Sequence, residues 1–304
     1  MKLHRFSFTT NTILMRYLSF LCGFCILFTI LPLTSCKPHS KAQEIQFNAY
    51  LPCPFEDYFV DYEPISPLEA APKINVDPNV WDMSDVDISY VNPNRKLISF
   101  TFDDAPSKTM ENIIATFASY NESNPDCRAS ASIFYNGGLV DKNSIHLLHT
   151  AHILGMELGN HTHSHLDLTT LTPAELKEEI DKTDEILARV DGKKKHLFRA
   201  PFGKINDEIK GQVETPIVDW TIDTLDWTGV SEEEIYNRVW NERFSGGIVL
   251  MHDGYPHTVD ALKRLLPDLK ADGYQVVSVS AMAKAHGCAL KRGGVYIRAR
   301  KQNK

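Results

Sequence analysis

From Leu97 onward, short apolar, β-prone runs alternate with stretches of helical spacing. The runs at 97–102, 131–135, 156–159, 196–199, 216–220, 247–251 and 275–279 predict seven strands. Between them, Thr172-Pro173-Ala174-Glu175 combines a capping residue, Pro at the first helical position and Glu at the third, which marks a helix start. Leu176, Ile180, Ile186, Leu187 and Val190 then repeat at helical intervals, and Gly192 marks the stop. Ser231-Glu232-Glu233-Glu234 opens a second helix in the same way, and 260–270 reads as a third. Strands alternating with helices predict an α/β domain with a parallel sheet, doubly wound or closed into a barrel.

Upstream of Leu97 the pattern breaks down. Residues 37–95 are rich in Pro, Asp, Tyr and Asn without sustained periodicity, and read as a tether followed by an irregular N-terminal extension. The first 36 residues differ again: a basic start, an apolar block over 17–33 and the close Leu33-Thr34-Ser35-Cys36. The block is short and runs directly into small residues, as in an export signal rather than a spanning helix. Met15 offers a second start that gives a more typical signal length. The domain reading is therefore a signal over 1–36, a tether and extension over 37–95, the α/β domain over 96–290 and a C-terminal tail over 291–304.

Composition adds little beyond this. At 43% hydrophobic and 23% charged, the chain can bury a large core. A formal charge of −7 argues against a nucleic-acid partner, which selects a basic face. Outside the signal and Cys36, the cysteines are Cys53, Cys127 and Cys288. Their spacing is not that of a zinc site, and they allow one disulfide whose pair is left open.

The candidate chemistry sits just after the predicted strands. Asp103-Asp104 ends the first, and His161-Thr162-His163-Ser164-His165 follows the third. Arg199 ends the fourth, Asp226-Trp227 follows the fifth, and His252-Asp253 ends the sixth. In parallel α/β folds, sites form at the carboxyl ends of strands, so these groups are expected on one face. On a helical turn, His161 and His165 would point the same way and could grip one metal, with His163 aimed elsewhere. Adjacent carboxylates in a strand project to opposite sides, which would give Asp103 and Asp104 different tasks.

Taken in order, Thr101-Phe102-Asp103-Asp104-Ala105-Pro106-Ser107, His161–His165, Arg199-Ala200-Pro201-Phe202-Gly203, Asp226-Trp227 and Leu250-Met251-His252 resemble the five motifs of the NodB-type polysaccharide deacetylases, carbohydrate esterase family 4. The resemblance implies a distorted (β/α) barrel with about seven parallel strands. It implies one divalent metal, zinc foremost with cobalt, nickel or manganese as alternatives, on Asp104, His161 and His165. It also implies Asp103 as general base beside Arg199, and His252 as general acid oriented by Asp226. The Phe202 backbone N–H would help hold the oxyanion, and Trp227 and Leu250 would line an acetyl pocket. Leu33–Cys36 likewise resembles the bacterial lipobox, implying lipidation of Cys36 and an exported, membrane-anchored protein.

Two positions depart from the family pattern: Ala105 stands where Gly is usual, and Phe202 where Tyr is frequent. Ala105 would matter if its backbone required positive φ. The expected activity is removal of N-acetyl groups from an amino-sugar polymer by a monomer. The alternatives are an O-acetyl xylan-type esterase and a catalytically silent carbohydrate-binding surface protein. Peptidoglycan, chitin oligomers and poly-N-acetylglucosamine all fit the motifs.

Overall fold

The computed structural model describes residues 77–300. The signal, Cys36 and Cys53 lie outside that range, as does most of the tether. Nine strands, all paired in parallel, form the sheet: β1 (Lys96–Ala105), β2 (Ser132–Tyr135), β3 (Glu157–Asn160), β4 (Leu197–Phe198), β5 (Ile217–Val218), β6 (Ile222–Asp223), β7 (Ile248–His252), β8 (Tyr274–Val276) and β9 (Val295–Tyr296). The order is β6-β7-β1-β2-β3-β4-β5-β9, with β8 paired to the start of β1. β5 and β6 lie near opposite ends of this order, yet only Asp219, Trp220 and Thr221 join them. Three residues bridge at most about 14 Å, so the sheet must curl round until its two sides meet. Gly247, just before β7, also bridges Arg298, just after β9. The result is a distorted parallel barrel.

Among the described residues, seven α-helices connect and cover the strands: α1 (Met110–Ser123), α2 (Ile145–Ile153), α3 (Pro173–Asp191), α4 (Asp207–Gln212), α5 (Glu232–Glu242), α6 (Pro256–Ala271) and α7 (Val279–Ala285). α3 matches its sequence signals closely. Thr172 and Glu175 form a reciprocal capping box, and Gly192 ends the helix at φ 76°. β6 and β9, of two residues each, are not among the predicted strands. The segment read as a C-terminal tail supplies β9. The predicted strand over 275–279 stops at Val276, because the Ser278 side chain accepts from Ala281 N–H and starts α7.

One large apolar cluster fills the space between β1, β2, β7 and helices α1 and α6, around Phe100, Phe102, Phe117, Met251 and Leu262. A second cluster, around Leu97, Val279 and Met282, receives Trp81, Met83, Val86, Ile88, Tyr90 and Val91 from the irregular extension. That segment has almost no strand or helix of its own, so side-chain packing and polar anchors hold it. The buried Gln275 carboxamide accepts from Asn92 N–H at 2.8 Å and donates to Tyr90 O at 3.0 Å and Arg128 O at 2.7 Å. Among the described cysteines, Cys127 and Cys288 are both free. No helix among the described residues is long and apolar enough to cross a membrane.

Candidate active site

Register places the central groups. β1 and β7 run in parallel with Asp103 directly opposite His252, and Thr101 opposite Leu250. Asn160, at the end of β3, pairs with Phe198 of β4, so His161 and Arg199 emerge side by side. The sequence clusters therefore meet at the carboxyl end of the barrel.

Strict alternation fails at the two acids. Between Phe102 and Ala105 the β1 chain advances three residues while β2 advances two, from Ile133 to Tyr135. This is a bulge. Asp104 takes φ 61° within it, so both carboxylates turn toward the same imidazole instead of pointing apart. His161 Nε2 lies 3.7 Å from both Asp103 Oδ2 and Asp104 Oδ1, and His165 Nε2 lies 3.4 Å from Asp104 Oδ1. Ala105 is absent from the positive-φ positions, so its departure from Gly meets no backbone obstacle.

The two histidines are not on a helix. Thr162 and His165 adopt φ 67° and 53°, which a right-handed helix excludes. A loop nevertheless brings the rings together, with centroids 5.1 Å apart.

Donor atoms from Asp104, His161 and His165 all lie within 4.8 Å of one another. Tetrahedral zinc bonds of about 2.0–2.1 Å place ligand atoms roughly 3.3 Å apart, close to the separations above. His161 Nδ1 sits 2.8 Å from Arg199 O. A carbonyl can only accept, so Nδ1 carries the proton and Nε2 keeps its lone pair free. Burial pushes the His161 pKa down despite the neighbouring carboxylates, which favours the neutral ring that a metal requires. The residues fit a divalent cation.

Asp103 is buried against Arg199. Arg199 Nη1 donates to Asp103 Oδ1 at 2.8 Å and to Thr101 Oγ1 at 2.7 Å; Nε donates to Val218 O at 3.0 Å and Nη2 to Asp219 O at 3.2 Å. The guanidinium also stacks on Phe134, 4.3 Å from the ring centroid. Burial alone would raise the Asp103 pKa, but the charges of Arg199, His161 and His252 hold it below the usual carboxylate range.

On the other flank, His252 Nδ1 lies 2.7 Å from Asp226 Oδ1, and His252 N–H donates to Asp226 Oδ2 at 2.8 Å. Thr258 Oγ1 adds a donor to Asp226 Oδ2 at 2.7 Å. Burial depresses the imidazolium, but the Asp226 hydrogen bond and the nearby carboxylate charges outweigh it and raise the His252 pKa.

Leu250 is buried beneath the site, whereas Phe202 and Trp227 stand exposed on its rim. Phe202 sits at φ 60°, with its ring 4.7 Å from that of His165. Sequence reading missed Asn136, whose Nδ2 donates to Asp104 Oδ1 at 3.1 Å, and gave no role to Thr101, which supports Arg199. It gave no role to Asp253, buried beside His252, which accepts from Ser107 N–H and Thr109 Oγ1 and so ties the loop after β1 to the loop after β7. Asn136 directly follows the end of β2, the one signal that could have found it.

A model of the polysaccharide deacetylase family matches residues 90–215. A peptidoglycan-N-acetylglucosamine deacetylase of Bacillus cereus is 33% identical over 208 residues, covering 63% of this chain and 90% of that protein. Peptidoglycan-N-acetylmuramic acid deacetylase PdaC of Bacillus subtilis is also 33% identical, over 196 residues, but the match spans only 40% of its length. The solved structure of PdaC aligns at a TM-score of 0.59 and 34% identity, over 64% of this chain and 93% of that one. With this barrel and this arrangement of side chains, the chain belongs to the polysaccharide deacetylase family.

Proposed function

We propose that this protein is a metal-dependent deacetylase that hydrolyses N-acetyl groups of an exported amino-sugar polymer. The observation that carries the reading is the pairing of Asp103 with His252 across adjacent strands, with Asp104, His161 and His165 beside them. A divalent cation held by those three residues, zinc foremost, supplies Lewis acidity, polarising a carbonyl and lowering the pKa of water from about 15.7 to about 7.

The protein groups supply the proton transfers and the positioning. Arg199 occupies Asp103 Oδ1, which leaves Oδ2 to take the proton of the attacking water. Asp226 occupies His252 Nδ1, which leaves Nε2 to protonate the departing nitrogen. Acid and base catalysis of this kind typically contribute about 10²–10⁴-fold each. The Phe202 N–H serves as an oxyanion donor, while Trp227 and Leu250 enclose the acetyl group. An amine leaves poorly without a proton, so a dedicated acid and its orienting carboxylate favour N-acetyl over O-acetyl substrates. Both relatives named above are peptidoglycan deacetylases, which favours a peptidoglycan substrate. Export with a lipid on Cys36 would place the enzyme at that polymer.

The test is acetate release by metal-loaded protein from acetylated peptidoglycan, glucosamine oligomers and xylan. Release from the amino-sugar substrates, and its loss in Asp103→Asn with metal content unchanged, is expected. Turnover retained in that variant would remove the base assignment, and turnover confined to xylan would select the esterase reading.

A further inference from the structure

The loop that carries both imidazoles has an unusual support. Its four consecutive amides, from residue 162 to residue 165, are each accepted by a side-chain oxygen. Asn160 Oδ1 takes Thr162 N–H at 2.9 Å, Glu179 Oε2 takes His163 N–H at 3.1 Å and Ser164 N–H at 2.7 Å, and Thr162 Oγ1 takes His165 N–H at 3.1 Å. Two of those residues, Thr162 and His165, hold left-handed backbone without being glycine. Such conformations persist only where the surroundings impose them.

The imposing element is α3. Glu179 projects from it, and Asn160 is anchored to it through Nδ2, which donates to Ile180 O at 2.8 Å and Asp184 Oδ1 at 2.9 Å. On the opposite side, Thr162 O and His163 O accept from Gly137 N–H at 3.0 Å and Gly138 N–H at 2.8 Å. A Cβ on Gly137 would lie 2.4 Å from Thr183 Oγ1, and one on Gly138 would lie 2.7 Å from His163 O, so both glycines permit the close approach.

We infer that Glu179 is a positioning residue for metal binding: its buried carboxylate, clamped on two successive loop amides, pre-sets the separation of His161 and His165 and thereby sets cation affinity. Glu179 touches neither imidazole; it acts through backbone that would otherwise relax out of its left-handed turns. Both amides converge on one oxygen, so the ionised carboxylate provides stronger, charge-assisted acceptance than an amide could. The inference rests on the reading of Asp104, His161 and His165 as cation ligands.

The measurement is calorimetric titration of the metal-free protein with zinc ions, alongside its thermal melting without metal. Glu179→Ala is expected to weaken zinc binding about 10–100-fold, the range found when groups supporting metal ligands are removed. Glu179→Gln, which keeps an acceptor oxygen without the charge, falls between Ala and the parent. Leu187→Val, a buried truncation on the same helix away from the loop, should lower melting while leaving zinc affinity intact. Zinc affinity unchanged in Glu179→Ala, or lowered equally by Leu187→Val, would overturn the inference. A parent protein that binds no zinc, cobalt, nickel or manganese would instead overturn the ligand set and the inference with it.

Discussion

Arg199 is almost wholly buried, yet each of its three nitrogens has an acceptor. A buried guanidinium is tolerated only with such compensation, and removing a partner typically costs about 3–5 kcal/mol. The geometry also assigns opposite pKa directions to the two flanking groups. The Arg199 charge keeps Asp103 ionised at unusually low pH, while Asp226 keeps His252 protonated above the ordinary histidine range. Acetate release should therefore need Asp103 ionised on its acid limb and His252 protonated on its alkaline limb. In Asp226→Asn the main support for imidazolium is lost, so the alkaline limb is expected to move to lower pH while the acid limb stays. A kcat/KM profile against pH reads this directly; an alkaline limb unmoved by the substitution would detach His252 from that role. The motifs supplied the identities of these residues. The contributions of Thr101, Asn136 and Asp253 could not be read there, because each acts across a strand-to-strand or loop-to-loop gap that only folding closes.

Among the elements, α3 carries the most. Its start and stop were legible in Thr172, Glu175 and Gly192, because caps are local hydrogen-bond chemistry. Its tertiary role was not legible. Near its C-terminal end, Asp184 and Asp191 flank the buried His196, with Nδ1 2.9 Å from Asp184 and Nε2 3.2 Å from Asp191. Burial disfavours the imidazolium, but these two carboxylates outweigh it and raise the His196 pKa. A histidine whose folded pKa exceeds its unfolded value of about 6.5 stabilises the fold fully below that pH and loses the contribution as pH rises through the folded value. The melting temperature should accordingly fall more steeply between mildly acidic and mildly alkaline pH in the parent than in His196→Gln. Parallel melting curves for the two proteins would show that His196 is not the linked group. Short elements such as β6, β9 and α4 escaped prediction for a different reason: neighbouring strands and helices, not a pattern of their own, stabilise them.

In the whole molecule, the irregular segment from Val80 to Val91 is part of the folded domain. Trp81, Ile88 and Val91 cover the second core cluster, Lys284 Nζ donates to Val86 O at 2.7 Å, and Gln275 satisfies backbone groups of the same segment. Gln275→Ala would leave Asn92 N–H, Tyr90 O and Arg128 O without their partner. A loss of about 1–3 kcal/mol is expected in denaturant unfolding, with kcat/KM for acetate release little changed because the residue lies near the amino end of β1, away from the site. Equal loss of activity at temperatures where the variant remains folded would instead tie this end of the barrel to the chemistry.

The sequence by itself determined which residues could do chemistry, their order along the chain and the alternation of strand and helix, because these depend on side-chain type and on spacing within a few residues. Only the tertiary structure decided that Asp103 and Asp104 face one imidazole, that the His161–His165 segment is a clamped loop and not a helical turn, and that a patternless extension belongs to the fold. Each of those outcomes follows from contacts between distant segments: a bulge defined only against β2, amides held by a helix that starts eight residues after His165, and a carboxamide of β8 that satisfies backbone far upstream. Local propensity carries no record of such partners, so they become visible only once the barrel has closed.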